Sequence, residues 1–340
     1  MEQRHHEAHL QTVQQAGGSC GKRVILLKPR GFCAGVVRAV DIVNIALECY
    51  GPPIYVRKEI VHNSQVVADL TRKGAIFVDS TDEVPEGARV IFSAHGVSPR
   101  VRGKASSRKL HVIDATCPLV TKVHLEAVRF AREGYSIVLI GHKDHDEVIG
   151  TLGEAPGQTF LISSEEEVDR LTVSDAARVA YLTQTTLSLD ETRGIIAALQ
   201  RKYPAIIGPP AQDICYATEN RQVAVKAVVP LCDLLLVVGS ANSSNSNRLV
   251  EVARIAKLPA YLIENETAIL PDWLDAAETV AVTAGASAPE SLVEEVVHFL
   301  RTQGFDCVEE MEMVSEDVRF ALPPELIPLA AGNAGSRTSL

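Results

Sequence analysis

Residues 23–51 read RVILLKPRGFCAGVVRAVDIVNIALECYG, and this stretch sets the fold class. The apolar run over 23–27 is short and rich in Val, Ile and Leu, as a buried strand is. A loop follows in which Cys33 lies between Gly31 and Gly35, where backbones can approach closely. An amphipathic period then ends near Cys49, with Gly51 beyond it as a helix stop.

The same unit of strand, small-residue loop and helix recurs along the chain. Apolar runs at 89–92, 110–113, 136–140, 178–182, 234–238 and 279–282 all end in small or polar residues. Such runs alternating with helical periods indicate mostly parallel strands covered on both faces, so the class is α/β. The chemically unusual residues fall just after a strand and before a helix. That is the carboxyl edge, where open α/β sheets bind ligands and helix N-termini favour anions.

With 340 residues the chain is long enough for two or three domains. Its net charge of −10 argues against a nucleic-acid surface or an anionic membrane as partner. No stretch approaches the roughly 20 apolar residues of a membrane span. The first 20 residues lack the apolar core of a secretory signal, so they read as a polar leader on a cytoplasmic protein.

Seven cysteines in such a chain make a poor disulfide framework. Cys33, Cys117 and Cys215 sit in strand-to-helix loops, at intervals each about the size of a small α/β domain. The spacing predicts three similar lobes, each contributing one cysteine to a shared centre. The expected division is a leader at 1–21 and lobes at 22–116, 117–214 and 215–304. A C-terminal strand and tail at 305–340 would return to the first lobe. Three thiolates on an iron–sulfur cubane leave one iron open to a substrate oxygen. Simple burial is the alternative for any one cysteine, and it is the reading given to Cys49, Cys232 and Cys307.

His62, His95 and His145 stand at strand ends and suggest a cage for phosphate oxygens, imidazole being a donor of adjustable charge. A zinc or di-metal site is the alternative, without a His-x-x-x-His helix to support it. The run SANSSNSN over 240–247 holds Ser243, Ser244 and Asn245. It links a strand to a helix and so reads as an anion cradle, not as the Lys-bearing P-loop. Ser287 offers another hydroxyl near a helix start. Glu147, two residues after His145, is a candidate acid for a departing hydroxyl. Thr185 is a candidate to orient that proton, or else a helix cap.

Taken together, RGFCAGVVRAV, EIVHN, SAHGVS, DATCPLVTKVH, GHKDHDEVIGT, TQTTLS, DICYATENRQ, GSANSSNSNRL and TAGASAP resemble the 4-hydroxy-3-methylbut-2-enyl diphosphate reductase family. The blocks run in order from about residue 28 to residue 302. The resemblance implies three lobes in pseudo-threefold array around one central [4Fe–4S] cluster, with Cys33, Cys117 and Cys215 as ligands and one open iron site. It implies diphosphate contacts from His62, His95, His145, Ser243, Ser244, Asn245 and Ser287, substrate contact by Thr185 and proton donation by Glu147. The implied reaction is reductive dehydroxylation of a small allylic diphosphate, the last step of the methylerythritol phosphate route to isoprenoids. The implied partner is a ferredoxin or flavodoxin electron donor, and the expected state is a monomer or homodimer. An aconitase-like hydro-lyase and a non-catalytic iron–sulfur sensor are the rival readings.

Overall fold

The computed structural model of the chain describes residues 9–12 and 21–327. In chain order, β1 (His9–Thr12) and β2 (Arg23–Lys28) lead to α1 (Ala34–Tyr50), β3 (Ile54–Arg57), α2 (Ser64–Arg72), β4 (Ala75–Val78), β5 (Arg89–Phe92), α3 (Pro99–Ser107) and β6 (His111–Asp114). Next come α4 (Pro118–Arg132), β7 (Ser136–Ile140), α5 (Asp146–Glu154), β8 (Thr159–Ile162), α6 (Glu165–Arg170), β9 (Val179–Thr183) and α7 (Leu189–Lys202). The chain continues with α8 (Tyr216–Val228), β10 (Leu234–Val238), α9 (Ser244–Ile255), β11 (Ala260–Ile263), β12 (Thr279–Ala284), α10 (Glu290–Thr302) and β13 (Cys307–Glu312). No described helix is long and apolar enough to cross a membrane.

Among the described residues two compact units form, one from 9–12 and 21–33 with Tyr216–Val318, the other from Ala34–Cys215 with 319–327. The first unit holds a six-stranded sheet in the order β1-β13-β2-β12-β10-β11. All its neighbours are parallel except β1 against β13. In β10 every side chain is buried. Leu234, Leu236 and Val238 pack with Val293, Val296 and Leu300 of α10. Leu235 and Val237 turn the other way, onto Ala224 and Val225 of α8 and Leu249 and Ala253 of α9. Helices on both faces explain why the run never alternates with polar residues.

The second unit holds two parallel sheets, β4-β3-β5-β6 and β8-β7-β9. Its central β7 is also buried throughout. Val138 and Ile140 meet Ile195 and Leu199 of α7, while Ile137 and Leu139 meet Val123, Ala127 and Phe130 of α4. At roughly 1.5–3 kcal/mol for each such buried side chain, the central strands carry much of each sheet's stability. Three groups of strands therefore form, as the α/β pattern and the cysteine spacing suggested.

One boundary differs from the expected division. Strand β2 was placed with the first lobe, but it lies between β12 and β13 in the six-stranded sheet. The physical reason is two-sided burial. Val24 packs in the α10 layer, and Ile25 and Leu27 in the α8 and α9 layer, whereas β3 is already flanked by β4 and β5. A second departure concerns the cysteines. Cys33, Cys49, Cys117, Cys215 and Cys232 form no disulfide, but Cys307 is disulfide-bonded.

Candidate functional site

In the second unit three strand-end loops bring His62, His95 and His145 together. His62 follows β3 and precedes α2, whose start is fixed by Asn63, its side chain accepting the Val66 N–H at 3.0 Å. His95 follows β5, and His145 caps α5 after β7. The His62 and His95 rings stack at 4.0 Å between centroids. His145 stands edge-on to both, at 5.4 Å and 5.8 Å.

Hydrogen bonding assigns one tautomer. The Glu147 N–H donates to His145 Nδ1 at 3.2 Å, so in the neutral ring Nε2 carries the proton. Burial lowers the His145 pKa to about 3, with smaller contributions from His62 and His142. Burial, then His62 and His145, hold His95 well below the usual histidine range. Three close rings cannot all be cationic unless an anion joins them. A ligand that brings negative charge would ease protonation of these rings.

Glu147 is the second residue of the same helix, in its first turn, and is only 2% exposed. Burial pushes its pKa up to about 7, opposed by two bonds from Thr185 and aided by nearby Asp213. The Thr185 N–H donates to Oε1 at 2.7 Å and its hydroxyl to Oε2 at 2.9 Å. Thr185 also accepts the Cys215 N–H at 3.1 Å. Acid, threonine and cysteine are therefore joined in one hydrogen-bonded chain.

The first unit brings together Cys33, Ser243, Asn245 and Ser287. Ser243 caps α9: its hydroxyl oxygen accepts from the Ser246 N–H at 3.3 Å and the Ser246 hydroxyl at 2.9 Å. The Ser287 hydroxyl lies 3.5 Å from the same oxygen. Asn245 accepts the Ala286 N–H at 2.8 Å, and the Ala286 carbonyl accepts the Cys33 N–H at 3.1 Å. Ser244 opens the helix. Hydroxyls at a helix N-terminus suit an anion.

A single backbone pattern recurs at the three cysteines. Cys33, Cys117 and Cys215 immediately precede α1, α4 and α8. Each N–H donates to a carbonyl in the loop after a neighbouring strand: Ala286 after β12, Ala94 after β5, Thr185 after β9. Ala286 and Ala94 directly precede Ser287 and His95. Each cysteine is thereby set beside a loop with a candidate substrate residue. At the Cys33 loop this requires Gly31, whose φ is +65° and where a Cβ would stand 3.1 Å from the Ala288 carbonyl oxygen.

The donor set suits an iron–sulfur group: three cysteines outside any disulfide, each at a helix N-terminus. Among the described residues no three His, Cys, Asp or Glu side chains are grouped to hold one metal ion. A single ion needs its ligands within roughly 4 Å of one another, whereas a cubane takes each thiolate on a different iron.

Two supporting residues escaped sequence reasoning. Asp213, with its carboxylate accepting from the Thr183 N–H at 3.1 Å, pairs with Lys122 at 3.1 Å. Its place two residues before Cys215 was the available signal. Gln184 accepts the His142 N–H at 3.0 Å and donates to the Thr186 hydroxyl at 2.8 Å, steadying the loops of His145 and Thr185.

A family model described as LytB protein matches residues 24–301. The chain is 58% identical over 306 residues to the 4-hydroxy-3-methylbut-2-enyl diphosphate reductase of Acidothermus cellulolyticus, covering 90% of each. It is 57% identical to that of Rhodococcus jostii, covering 90% of this chain and 91% of the relative. Among solved structures, the E-1-hydroxy-2-methyl-but-2-enyl-4-diphosphate reductase of Plasmodium falciparum is similar with a TM-score of 0.89 and 40% identity. That likeness covers 92% of this chain and 99% of the other.

Proposed function

Because the chain belongs to the LytB protein family, we infer that it is an iron–sulfur oxidoreductase acting on (E)-4-hydroxy-3-methylbut-2-enyl diphosphate. The products are isopentenyl diphosphate and dimethylallyl diphosphate, which makes it the last enzyme of the methylerythritol phosphate route. The observation that carries the mechanism is the buried Glu147 carboxyl, raised to about 7 and gripped by Thr185.

Cys33, Cys117 and Cys215 would hold one [4Fe–4S] cluster with one iron free of cysteine. Bound there, the cluster supplies two electrons, one at a time, and a Lewis-acidic iron for the substrate oxygen. His62, His95 and His145 hold diphosphate oxygens, as do Ser243, Ser244, Asn245 and Ser287. Glu147 keeps its proton near neutral pH because burial disfavours its charge. It delivers that proton to the departing hydroxyl, so water leaves, and Thr185 aims it. Overall the C–O bond breaks, two electrons and two protons are consumed, and a C–H bond and water form. The allylic end that receives the second proton decides the product. A ferredoxin or flavodoxin in the cytoplasm supplies the electrons.

The test is anaerobic reconstitution, iron and sulfide counting, and turnover with a reduced dye as donor. We expect about four irons per chain, lost in Cys33→Ala, Cys117→Ala and Cys215→Ala, and turnover only with the donor. Turnover without the donor would overturn the reductase reading in favour of a hydro-lyase. A loaded protein that consumes no substrate would point to a sensor.

A further inference from the structure

Three long cationic side chains occupy equivalent places after the three cysteines. Arg38 stands five residues beyond Cys33 on α1. Its Nη1 donates at 3.1 Å to the carbonyl of Thr116, the residue before Cys117, and its Nε at 2.7 Å to the Ala321 carbonyl. Lys122 stands five residues beyond Cys117 on α4. Its Nζ donates to the Ala211 carbonyl at 2.6 Å and the Gln212 carbonyl at 3.0 Å, and pairs with Asp213 at 3.1 Å. Those residues lead directly into Cys215. Arg221 stands six residues beyond Cys215 on α8. Its Nη2 donates at 2.8 Å to the carbonyl of Gly31, two residues before Cys33.

The order closes on itself, from Cys33 to Cys117, to Cys215 and back to Cys33. We propose that Arg38, Lys122 and Arg221 are positioning residues, each tying the helix after one cysteine to the chain just before the next. The inference rests on the reading that the three cysteines serve one cluster.

Residue type follows from this task. Five or six residues into a helix is about one and a half turns, so only a long side chain can reach a neighbouring loop. The acceptors are mainly backbone carbonyls, which pair with side chains that only donate. A charged donor strengthens each bond. Arg221 shows how much the fold gives up for it: a guanidinium only 1% exposed carries a large desolvation cost, offset by Gly31, Ala217 and Glu316. Arg38 has a second effect, since its guanidinium is held on the carbonyl of Thr116, the residue before Cys117. A fixed cation beside a centre that accepts electrons favours the reduced form.

The test reads each cysteine separately. In metal-free protein, the rate of alkylation at each thiol is followed by mass spectrometry for Arg38→Ala, Lys122→Ala and Arg221→Met. Arg221→Met keeps the buried volume should the alanine variant not fold, and melting curves identify folded samples. We expect the rate to rise about tenfold at the next cysteine only, the equivalent of losing one charged hydrogen bond. That cysteine is Cys117 for Arg38, Cys215 for Lys122 and Cys33 for Arg221. In the reconstituted enzyme, Arg38→Gln should lower the midpoint potential and Arg38→Lys should restore it. Equal changes at all three thiols, or none, would overturn the proposal. A wild-type chain that takes up no iron would defeat the cofactor reading instead, and leaves the alkylation pattern to judge the staples.

Discussion

The N–H and hydroxyl of Thr185 donate to the two carboxylate oxygens of Glu147 at 2.7 Å and 2.9 Å. Both bonds favour the charged carboxylate, yet burial outweighs them and the pKa stands near 7. A carboxyl poised there is half-protonated at neutral pH and can give its proton repeatedly.

Removing the acid should therefore separate chemistry from binding. Glu147→Gln is expected to lose about 10²–10⁴ in kcat while retaining iron and diphosphate binding. In the wild type, activity should fall above about pH 7 as the acid ionises. Stability changes with pH as well. The folded pKa lies above the ordinary 4.5, so the folded chain keeps a proton that the unfolded chain has lost. Wild-type stability then falls as pH rises from about 4.5 to about 7 and levels off. Relative to wild type, the Tm of Glu147→Gln should gain across that window. A constant difference in Tm from pH 4 to pH 8 would remove Glu147 as a buried acid.

Thr185 offers a cleaner probe, because its hydroxyl can be deleted without touching the carboxyl. The hydroxyl bond lowers the Glu147 pKa, so Thr185→Val should move the alkaline limb of the rate profile to higher pH and reduce kcat. Thr185→Ser keeps the donor and should leave the limb in place. An unmoved limb in the valine variant would mean that some other group sets it.

Diphosphate binding should take up protons. Burial and neighbouring rings hold His145 near 3 and His95 well below its ordinary value. A bound dianion favours the cationic rings and raises both values. At pH 6, above the free His145 value, binding then consumes protons. Calorimetric titration of metal-free protein with inorganic diphosphate, in buffers of different ionisation enthalpy, measures the uptake. His145→Asn should diminish it. Zero uptake in the wild type would mean that the rings bind as neutral donors throughout.

Much of this arrangement could be read from the chain, and what could not has a common cause. The buried runs at β7 and β10 announce two-sided sheets, and each of Cys33, Cys117 and Cys215 stands just before a helix, as their loops suggested. Glu147 was legible because it follows His145 by two residues in one strand-end loop, and Thr185 because it stands at the tip of another, where a helix cap was the competing reading. The partner of β2 was not legible, because a strand buried on both faces has the same composition in either sheet, and consecutive elements usually neighbour each other. Lys122 and Arg221 were equally hidden. In sequence they are ordinary helix cations, and their acceptors are mainly carbonyls, which every residue possesses.

A last expectation concerns the anion cradle of the first unit, where space is the limiting quantity. Gly239 follows β10 and Gly285 follows β12, and a Cβ at either would overlap the side chain of Ser246. Ser246 supplies the two shorter bonds that hold the Ser243 hydroxyl oxygen, at 3.3 Å and 2.9 Å. Gly285→Ala must therefore push Ser246, and Ser243 with it, away from Ser287. Overpacking of this kind costs roughly 1–3 kcal/mol, and the displaced hydroxyls should also weaken diphosphate binding. Adding Ser246→Ala removes the nearest atom, so part of the stability should return. Affinity should not, because Ser243 has then lost the shorter of its two bonds from residue 246, that from the hydroxyl, and keeps only the backbone N–H. Melting curves and diphosphate titrations of the single and double variants check both halves. A Gly285→Ala protein with wild-type Tm would show that the loop after β12 yields freely and that Ser246 is not held between the two strand ends.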